Sequence, residues 1–184
     1  MASLISSGSA SGTGSMTLSA PVTNSNQTAT LPDATGTVMV SGNMPAFSAY
    51  LSANQSVTTG TWTKITYDTE VFDTNNNFAS NRFTPTVAGY YQINAVVRIS
   101  SSSTSTLAGI AVYKNGSQYS VALTALGAGS YSVAGQVISE LVFCNGSSDY
   151  IEIYGLNTSA VSPVFDGSSG SQFTRVSGSL VRAS

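Results

Sequence analysis

The sequence has 184 residues, with six basic and eight acidic side chains, a formal net charge of −2 and no histidine. Without a cluster of Lys and Arg to displace counterions, the composition argues against nucleic-acid binding. Without histidine, it excludes Ser-His-Asp and Cys-His catalysis. A single cysteine, Cys144, cannot form an intrachain disulfide, and no apolar run is long enough to span a membrane. We therefore expect a protein with no enzymatic activity, no cofactor, no nucleic-acid partner and no membrane partner.

The length allows one sizeable core, or a domain with an arm. Charged residues make up only 8% of the chain, far below the usual quarter. Because so few charges would protect a monomer poorly against association, we expect part of the surface to be covered by further copies of the chain. The remaining surface should be rich in Ser, Thr and Asn.

Residues 1–45 differ in composition from the rest and are predicted to form an extended N-terminal attachment arm. Its opening segment is rich in Gly and Ser, lacks the basic and apolar regions of a signal peptide, and carries too little apolar surface to order itself. Short β-like pieces follow, interrupted by proline and by a Pro-Asp-Ala-Thr-Gly turn. Since pieces this short form no core, the arm needs another surface to lie on. Its predicted docking residues are Leu31, Pro32, Asp33, Thr35, Gly36, Val38 and Val40.

From residue 46 onward the pattern is typical of short strands. Ala46–Leu51 alternates between apolar and polar positions, and Trp62–Ile65 predicts a further short strand. Leu107–Tyr113 and Gln118–Leu123 flank an Asn-Gly pair, which predicts a hairpin with a type I′ turn. The remaining predicted elements are a strand over Tyr131–Phe143, a second turn at Asn145–Asp149, a second hairpin arm over Tyr150–Leu156 and a closing strand over Phe173–Val181. Short strands, frequent turns and no helical period favour an all-β sandwich.

The densest group of aromatic residues lies between Tyr67 and Tyr91, and the other elements are arranged around it. The Asp and Asn residues of 73–77 predict a turn, since their side chains bond the nearby backbone. From Tyr91 to Ile99, apolar and polar residues alternate, which predicts a half-buried strand with Tyr91 on its buried face. Phe83 is expected in the same core.

The spacing of these residues resembles the signature of the complement C1q globular heads, which are jelly rolls of the tumour-necrosis-factor type. The positions that carry the resemblance are Tyr67, Asp73, Phe78, Phe83, Gly89 and Tyr91. Two departures are evident: the gap between the two phenylalanines is two residues short, and aliphatic residues follow Tyr91 where the family has aromatics. The resemblance implies a jelly-roll β-sandwich over residues 46–184 and a homotrimer with aromatic subunit contacts. An unrelated β-sandwich with a similar turn is the alternative.

A second resemblance lies in the arm, where residues 30–38 read Thr-Leu-Pro-Asp-Ala-Thr-Gly-Thr-Val. This phrase is similar to a segment common in structural proteins of tailed bacteriophages. It implies a virion protein, and we expect a capsid decoration or cement protein on the capsid exterior, with the major capsid protein or a fibre base as its partner. The alternative is the receptor- or glycan-binding tip of a head or tail fibre, with a host surface glycan as its ligand.

Other residues that carry chemistry are assigned structural positions. Asp68 and Glu70 share a strand face, but nothing marks a cleft for a glycosidase pair. Asp73 and its neighbouring asparagines offer oxygens to calcium, which stays open as an alternative. Cys144 ends an apolar run and is expected to be a buried thiol. The Asn-x-Ser/Thr sequences are expected to mark exposed turns; they begin at Asn26, Asn54, Asn115, Asn145 and Asn157.

Overall fold

The computed structural model describes residues 44–126 and 132–184, together with single positions among the first 43 residues. The chain divides by its contacts into two units, Met1–Gly36 and Thr37–Ser184, and the architecture below is that of the second. The described residues contain strands and turns and no helix, so none of them forms a helix long and apolar enough to cross a membrane.

The described residues form thirteen strands. In chain order they are β1 (Ala46–Tyr50), β2 (Gln55–Ser56), β3 (Thr63–Lys64), β4 (Thr69–Asp73), β5 (Phe78–Ala79), β6 (Arg82–Phe83), β7 (Gly89–Ser100), β8 (Leu107–Lys114), β9 (Ser117–Ala125), β10 (Val133–Cys144), β11 (Ile151–Asn157), β12 (Val164–Phe165) and β13 (Arg175–Ala183).

The strands form two antiparallel sheets. Sheet A runs β4-β1-β13-β7-β10, and the short strands β12 and β2 continue beyond β13 on the same edge of β7. Sheet B runs β5-β6-β11-β8-β9, with β3 paired to β11. Sequence neighbours therefore often lie in different sheets, which is the connectivity of a jelly roll rather than of a meander.

The core lies between the sheets, and β7 is its longest contributor. Along this strand Tyr91, Ile93, Ala95, Val97 and Ile99 are all buried, whereas the intervening residues face outward. Residues of a strand point alternately to its two faces, so the predicted alternation is confirmed. Phe83 is also buried, as predicted, and so is Cys144.

Two hairpins use consecutive residues with positive φ. Asn115 (φ 53°) and Gly116 (φ 77°) join β8 to β9, which confirms the predicted type I′ turn. Ser80 (φ 53°) and Asn81 (φ 58°) join β5 to β6 in the same way. The second turn went unpredicted because it lacks the glycine that usually marks this geometry.

The second predicted hairpin, over Tyr131–Leu156, is wrong. β10 pairs with β7 in sheet A, whereas β11 pairs with β8 in sheet B. The turn between them therefore carries the chain from one sheet to the other. Its shape is fixed by the Asn145 Oδ1, which accepts backbone N–H groups from residues 147, 148 and 149 at 3.0 Å. A tight turn thus looks alike in sequence whether it joins paired strands or crosses between layers.

The prediction that every Asn-x-Ser/Thr sequence marks an exposed turn is wrong for Asn157, which is fully buried. Its Nδ2 donates to the carbonyls of Ser100 (3.0 Å) and Val164 (3.3 Å). Its Oδ1 accepts from the Ser159 amide and the Ser105 hydroxyl, both at 3.0 Å. A buried amide is tolerated when its donors and acceptors are satisfied, and here it holds three loops together.

The two ends of the sandwich differ. The proximal end carries residue 45, whose carbonyl accepts from the Leu180 amide at 3.0 Å, and the C-terminal Ser184, whose amide donates to the Ala88 carbonyl at 3.1 Å. Among the described residues, the distal end includes the loops 51–54, 57–62, 101–106, 158–163 and 166–174. The chain therefore enters and leaves sheet A at the same end.

Candidate functional site

The residues of the C1q-like spacing pack inside the domain. Phe78 lies 4.9 Å from Phe47 between ring centroids, and Tyr67 meets the edge of Phe78 at 6.3 Å. Phe83 lies 5.3 Å from Tyr91 at 70°. Gly89 is buried beside β13, where a Cβ would lie 2.3 Å from the Arg182 carbonyl oxygen. Since these side chains are enclosed by their own domain, they stabilise the sandwich and do not form its outer surface.

Two polar members of that spacing have distinct environments. Asp73 accepts from the backbone amides of Phe78 (2.7 Å) and Asn75 (3.3 Å), so both of its carboxylate oxygens shape the turn. The Tyr67 hydroxyl is buried without a hydrogen-bond partner among the described residues, and burial raises the pKa of Tyr67 well above its usual value. No group of three His, Cys, Asp or Glu side chains that could hold a metal ion occurs in the described part of the chain.

Burial also governs the single thiol, because it raises the pKa of Cys144 to about 11. The positive charge of Lys114 opposes this effect, and the negative charge of Asp149 adds to it. A thiol this basic and this enclosed is inert near neutral pH, since the thiolate is the reactive form.

The centre of the outer face of sheet A is built from neutral side chains, and Arg175 and Arg182 of β13 lie on the rows to either side of it. One central row across the strands consists of Ser139, Asn94, Ser177, Ser48 and Phe72, and the next consists of Leu141, Gln92, Ser179 and Ala46. The Gln92 Nε2 donates to the Ser139 hydroxyl at 3.0 Å, which in turn donates to the Asn94 Oδ1 at 2.8 Å. All residues of these two rows are described by the structure, and none of them has a charged side chain.

Apolar side chains rim this neutral face on both sides. On β10, the outward residues Val137 (66% exposed), Leu141 (46%) and Phe143 (38%) form a stripe, and Tyr90 packs beside Phe143 at 5.3 Å. On β4, Phe72 is 48% exposed and borders a groove of about 220 Å³ that reaches Asn94. Contiguous exposed apolar side chains of this kind mark contact surfaces.

The edge shared by β9 and β10 is apolar on both of its sides. Each of these strands pairs with a single described strand, β8 and β7 respectively. Tyr119 (50% exposed), Val121 (42%) and Leu123 (52%) face outward from β9, opposite to the β10 stripe. An uncovered edge of this length is an association hazard in a monomer, so this edge is suited to contact with another chain.

The outer face of sheet B has a different chemistry, dominated by aromatic and charged groups. The rings of Tyr113 and Tyr154 stack with centroids 3.9 Å apart, and the guanidinium of Arg82 lies 3.6 Å from the centre of the Tyr150 ring. Glu152, only 4% exposed, accepts from Lys64 at 2.7 Å and from Arg82 at 2.9 Å through the same oxygen, Oε1.

Of the seven predicted docking residues of the arm, only Val40 lies among the described residues. Leu31, Pro32, Asp33, Thr35, Gly36 and Val38 lie outside the described residues. Val40 is described and is 58% exposed.

The contact surfaces on both sheets were missed by sequence reasoning. The sequence of β10 carried a signal for the surface on sheet A, because the outward positions of this strand are nearly as apolar as its buried positions.

No family model and no curated protein matches the chain. Among solved structures, it is similar to the globular domain of the zebrafish complement 1qA protein, with a TM-score of 0.51 and 15% identity over 76% of this chain and 99% of that one. Eiger TNF from S. frugiperda gives a TM-score of 0.56 with 6% identity, covering 77% of this chain and 93% of that one. The PRD1 vertex protein P5 gives 0.53 with 17% identity, covering 75% and 97% respectively.

These likenesses identify the fold. The described domain is an all-β jelly roll of the C1q/TNF type, as the spacing between Tyr67 and Tyr91 predicted. Identities of this size concern architecture alone.

Proposed function

We propose that this chain is a non-enzymatic structural protein of a bacteriophage virion that assembles as a homotrimer through sheet A. The observation that carries the proposal is the uncharged centre of the outer face of sheet A, the two neutral rows described above, which the exposed residues Val137, Leu141 and Phe72 border. A chain with 8% charged residues that also keeps charge off these central rows, with Arg175 and Arg182 only on the rows to either side, is best explained by burial of the rows against copies of itself.

The geometry supports a contact between unlike surfaces of two copies. The β9–β10 edge is apolar, whereas the neutral face of sheet A offers a groove beside Phe72. Inserting the edge of one copy against the face of the next is a heterologous contact, which closes into a ring when the rotation allows. Fully burying a Val or Leu side chain contributes roughly 1.5–3 kcal/mol, so the β10 stripe alone supplies a substantial driving force.

A place on a virion is supported by two separate observations. The PRD1 vertex protein P5, a bacteriophage protein, has the same fold, and residues 30–38 resemble a segment of tailed-phage structural proteins. The chain enters the domain at its proximal end, so an N-terminal arm fastened to the major capsid protein would leave the distal end pointing outward. We propose a capsid decoration or cement protein on the capsid exterior.

The distal end favours this structural role over recognition. In its described loops no aromatic side chain is exposed, and Phe173 is covered by the guanidinium of Arg98 at 4.0 Å from the ring centre. Ser105, Asn157 and Ser159 are buried there in a hydrogen-bonded network. The polar groups of such a cap are paired with one another, so it offers few anchors to a ligand.

The second candidate is the receptor- or glycan-binding tip of a head or tail fibre, which the aromatic outer face of sheet B favours. Copy number separates the two candidates. Quantitative mass spectrometry of purified particles should find many copies per particle for a decoration protein. A stoichiometry of only a few copies would overturn the decoration role and leave the fibre tip.

A further inference from the structure

We propose that the outer face of sheet B, around Tyr113, Tyr154 and Arg82, binds an acidic saccharide. This is a binding function in addition to the structural role proposed above, and it uses the opposite layer of the sandwich. The binding face comprises Lys64 of β3, Arg82 of β6, Tyr113 of β8, and Tyr150, Glu152 and Tyr154 of the β11 region.

The orientation of the binding face follows from the core. A Cβ at Gly155 would lie 2.5 Å from the buried Phe165 ring, so Gly155 faces inward and the adjacent Tyr154 faces outward. Register pairs Tyr154 with Lys64, and Glu152 with Tyr113. The face is therefore carried by paired strands rather than by loops, which holds its groups in a fixed arrangement.

The charge of the binding face determines the class of ligand. Two cations, Lys64 and Arg82, share the single carboxylate of Glu152, which leaves one uncompensated positive charge. In a chain with six basic residues and a net charge of −2, this local excess is unusual. Glu152 engages Nε and Nη2 of Arg82, and the side chain of Arg82 remains 40% exposed. An anionic group on the ligand would complete the pairing.

The aromatic groups favour a saccharide as the carrier of that charge. Stacked tyrosines combine apolar ring surface with hydroxyl groups at the rim, which suits a sugar ring with its apolar face and its hydroxyls. The raised pKa of Tyr154, caused first by burial and then by Glu152, keeps its hydroxyl protonated and able to donate. Tyr and Arg are also the residues most enriched at recognition surfaces.

Titration of the full-length protein tests this inference. The sole tryptophan, Trp62, lies on the same face, where a Cβ at Gly109 would be 2.7 Å from its ring. Its fluorescence should respond saturably to tetragalacturonate or to a sulfated heparin tetrasaccharide. The two probes separate carboxylate from sulfate recognition. Neutral maltotetraose is the control, and it should bind at least about tenfold more weakly, which corresponds to about 1.4 kcal/mol.

Variants assign the binding to this face. Arg82→Gln should weaken acidic-saccharide binding about tenfold, whereas Arg182→Gln, which removes the same charge from sheet A, should leave it unchanged. Tyr154→Phe keeps the stacked ring and should weaken binding roughly threefold through loss of one hydrogen bond, so the test survives if Arg82→Gln misfolds. Sedimentation of the same samples reports self-association separately. No saturable response to either acidic probe, equal binding of maltotetraose, or equal losses in Arg82→Gln and Arg182→Gln would each overturn the inference.

Discussion

Phe47 and Phe83 stack with ring centroids 4.3 Å apart, although they belong to different sheets. Phe47 lies on β1 of sheet A and Phe83 on β6 of sheet B, so their contact joins the two layers near the proximal end. Phe78 and Tyr91 extend the cluster on either side. Ring packing thus attaches the short strand β6 to sheet A, whereas its ladder hydrogen bonds join it to β5 and β11 of sheet B.

The first prediction concerns this cluster. Phe83→Ala or Tyr91→Ala should lower the free energy of unfolding by roughly 3–5 kcal/mol, because each removes a fully buried ring and leaves a cavity. Val161→Ala, which truncates a half-exposed side chain at the distal end, is the control and should change it by less than about 0.5 kcal/mol. Urea denaturation measures the free energy of unfolding of each variant. A loss below about 1 kcal/mol for Phe83→Ala would contradict the packing.

The second prediction concerns self-association. Residues 46–184 alone should form a trimer, which native mass spectrometry at micromolar concentration would detect. Val137→Asp combined with Leu141→Asp places two charges on the β10 stripe and should give monomers, since a buried unpaired charge is strongly unfavourable. Val161→Asp, at an exposed distal position, should leave the trimer intact. A stable, well-folded wild-type monomer would refute the assembly.

The third prediction separates the arm from the domain. Deleting residues 1–40 should leave the trimer intact and abolish its incorporation into particles. Ordering an extended arm costs about 1–2 kcal/mol per residue in backbone entropy, which intersubunit β-pairing and burial of Leu31 and Val38 on a particle would offset. The test is to purify particles assembled with the truncated protein and to measure how many copies of that protein they contain. Normal occupancy would mean that the domain docks without the arm.

The fourth prediction concerns acid stability. Burial raises the pKa of Glu152, but hydrogen bonds and charge from Lys64 and Arg82 outweigh it and hold the pKa below its usual 4.5. A carboxyl group with a lowered pKa in the folded state stabilises the fold above its unfolded-state pKa. That contribution should therefore be complete at neutral pH and decline as the pH falls below about 4.5.

The comparison of wild type with Glu152→Gln isolates this group. The variant should be less stable at neutral pH, because two cations lose their shared carboxylate, and the difference between the two proteins should shrink as the pH falls. Chemical denaturation from pH 7 to pH 3 measures it. Asp68 and Asp149 also have lowered pKa values and remain in both proteins, so they cancel in the difference. A difference that stays constant with pH would exclude the proposed linkage.

The sequence by itself determined the longer strands and their buried faces. Alternation along Tyr91–Ile99 and Ala46–Leu51 predicted which side chains enter the core, because a strand's period of two leaves only one choice of face. The Asn115-Gly116 pair predicted its hairpin, since two consecutive positive φ angles are nearly specific to such a turn. The spacing from Tyr67 to Tyr91 predicted the jelly roll through its resemblance to the C1q signature, and the aromatic residues of that spacing are buried in the core.

Only the tertiary structure decided which strands are neighbours and which outer faces remain open. The Asn145–Asp149 turn looked like that of a hairpin, yet it crosses between sheets, because local turn chemistry carries no information about distant pairing partners. The neutral rows of sheet A draw on five strands that are far apart in sequence. Lys64, Arg82 and Glu152 converge across up to 88 positions. A surface assembled from such distant residues has no sequence period, so its chemistry emerges only after the chain has folded.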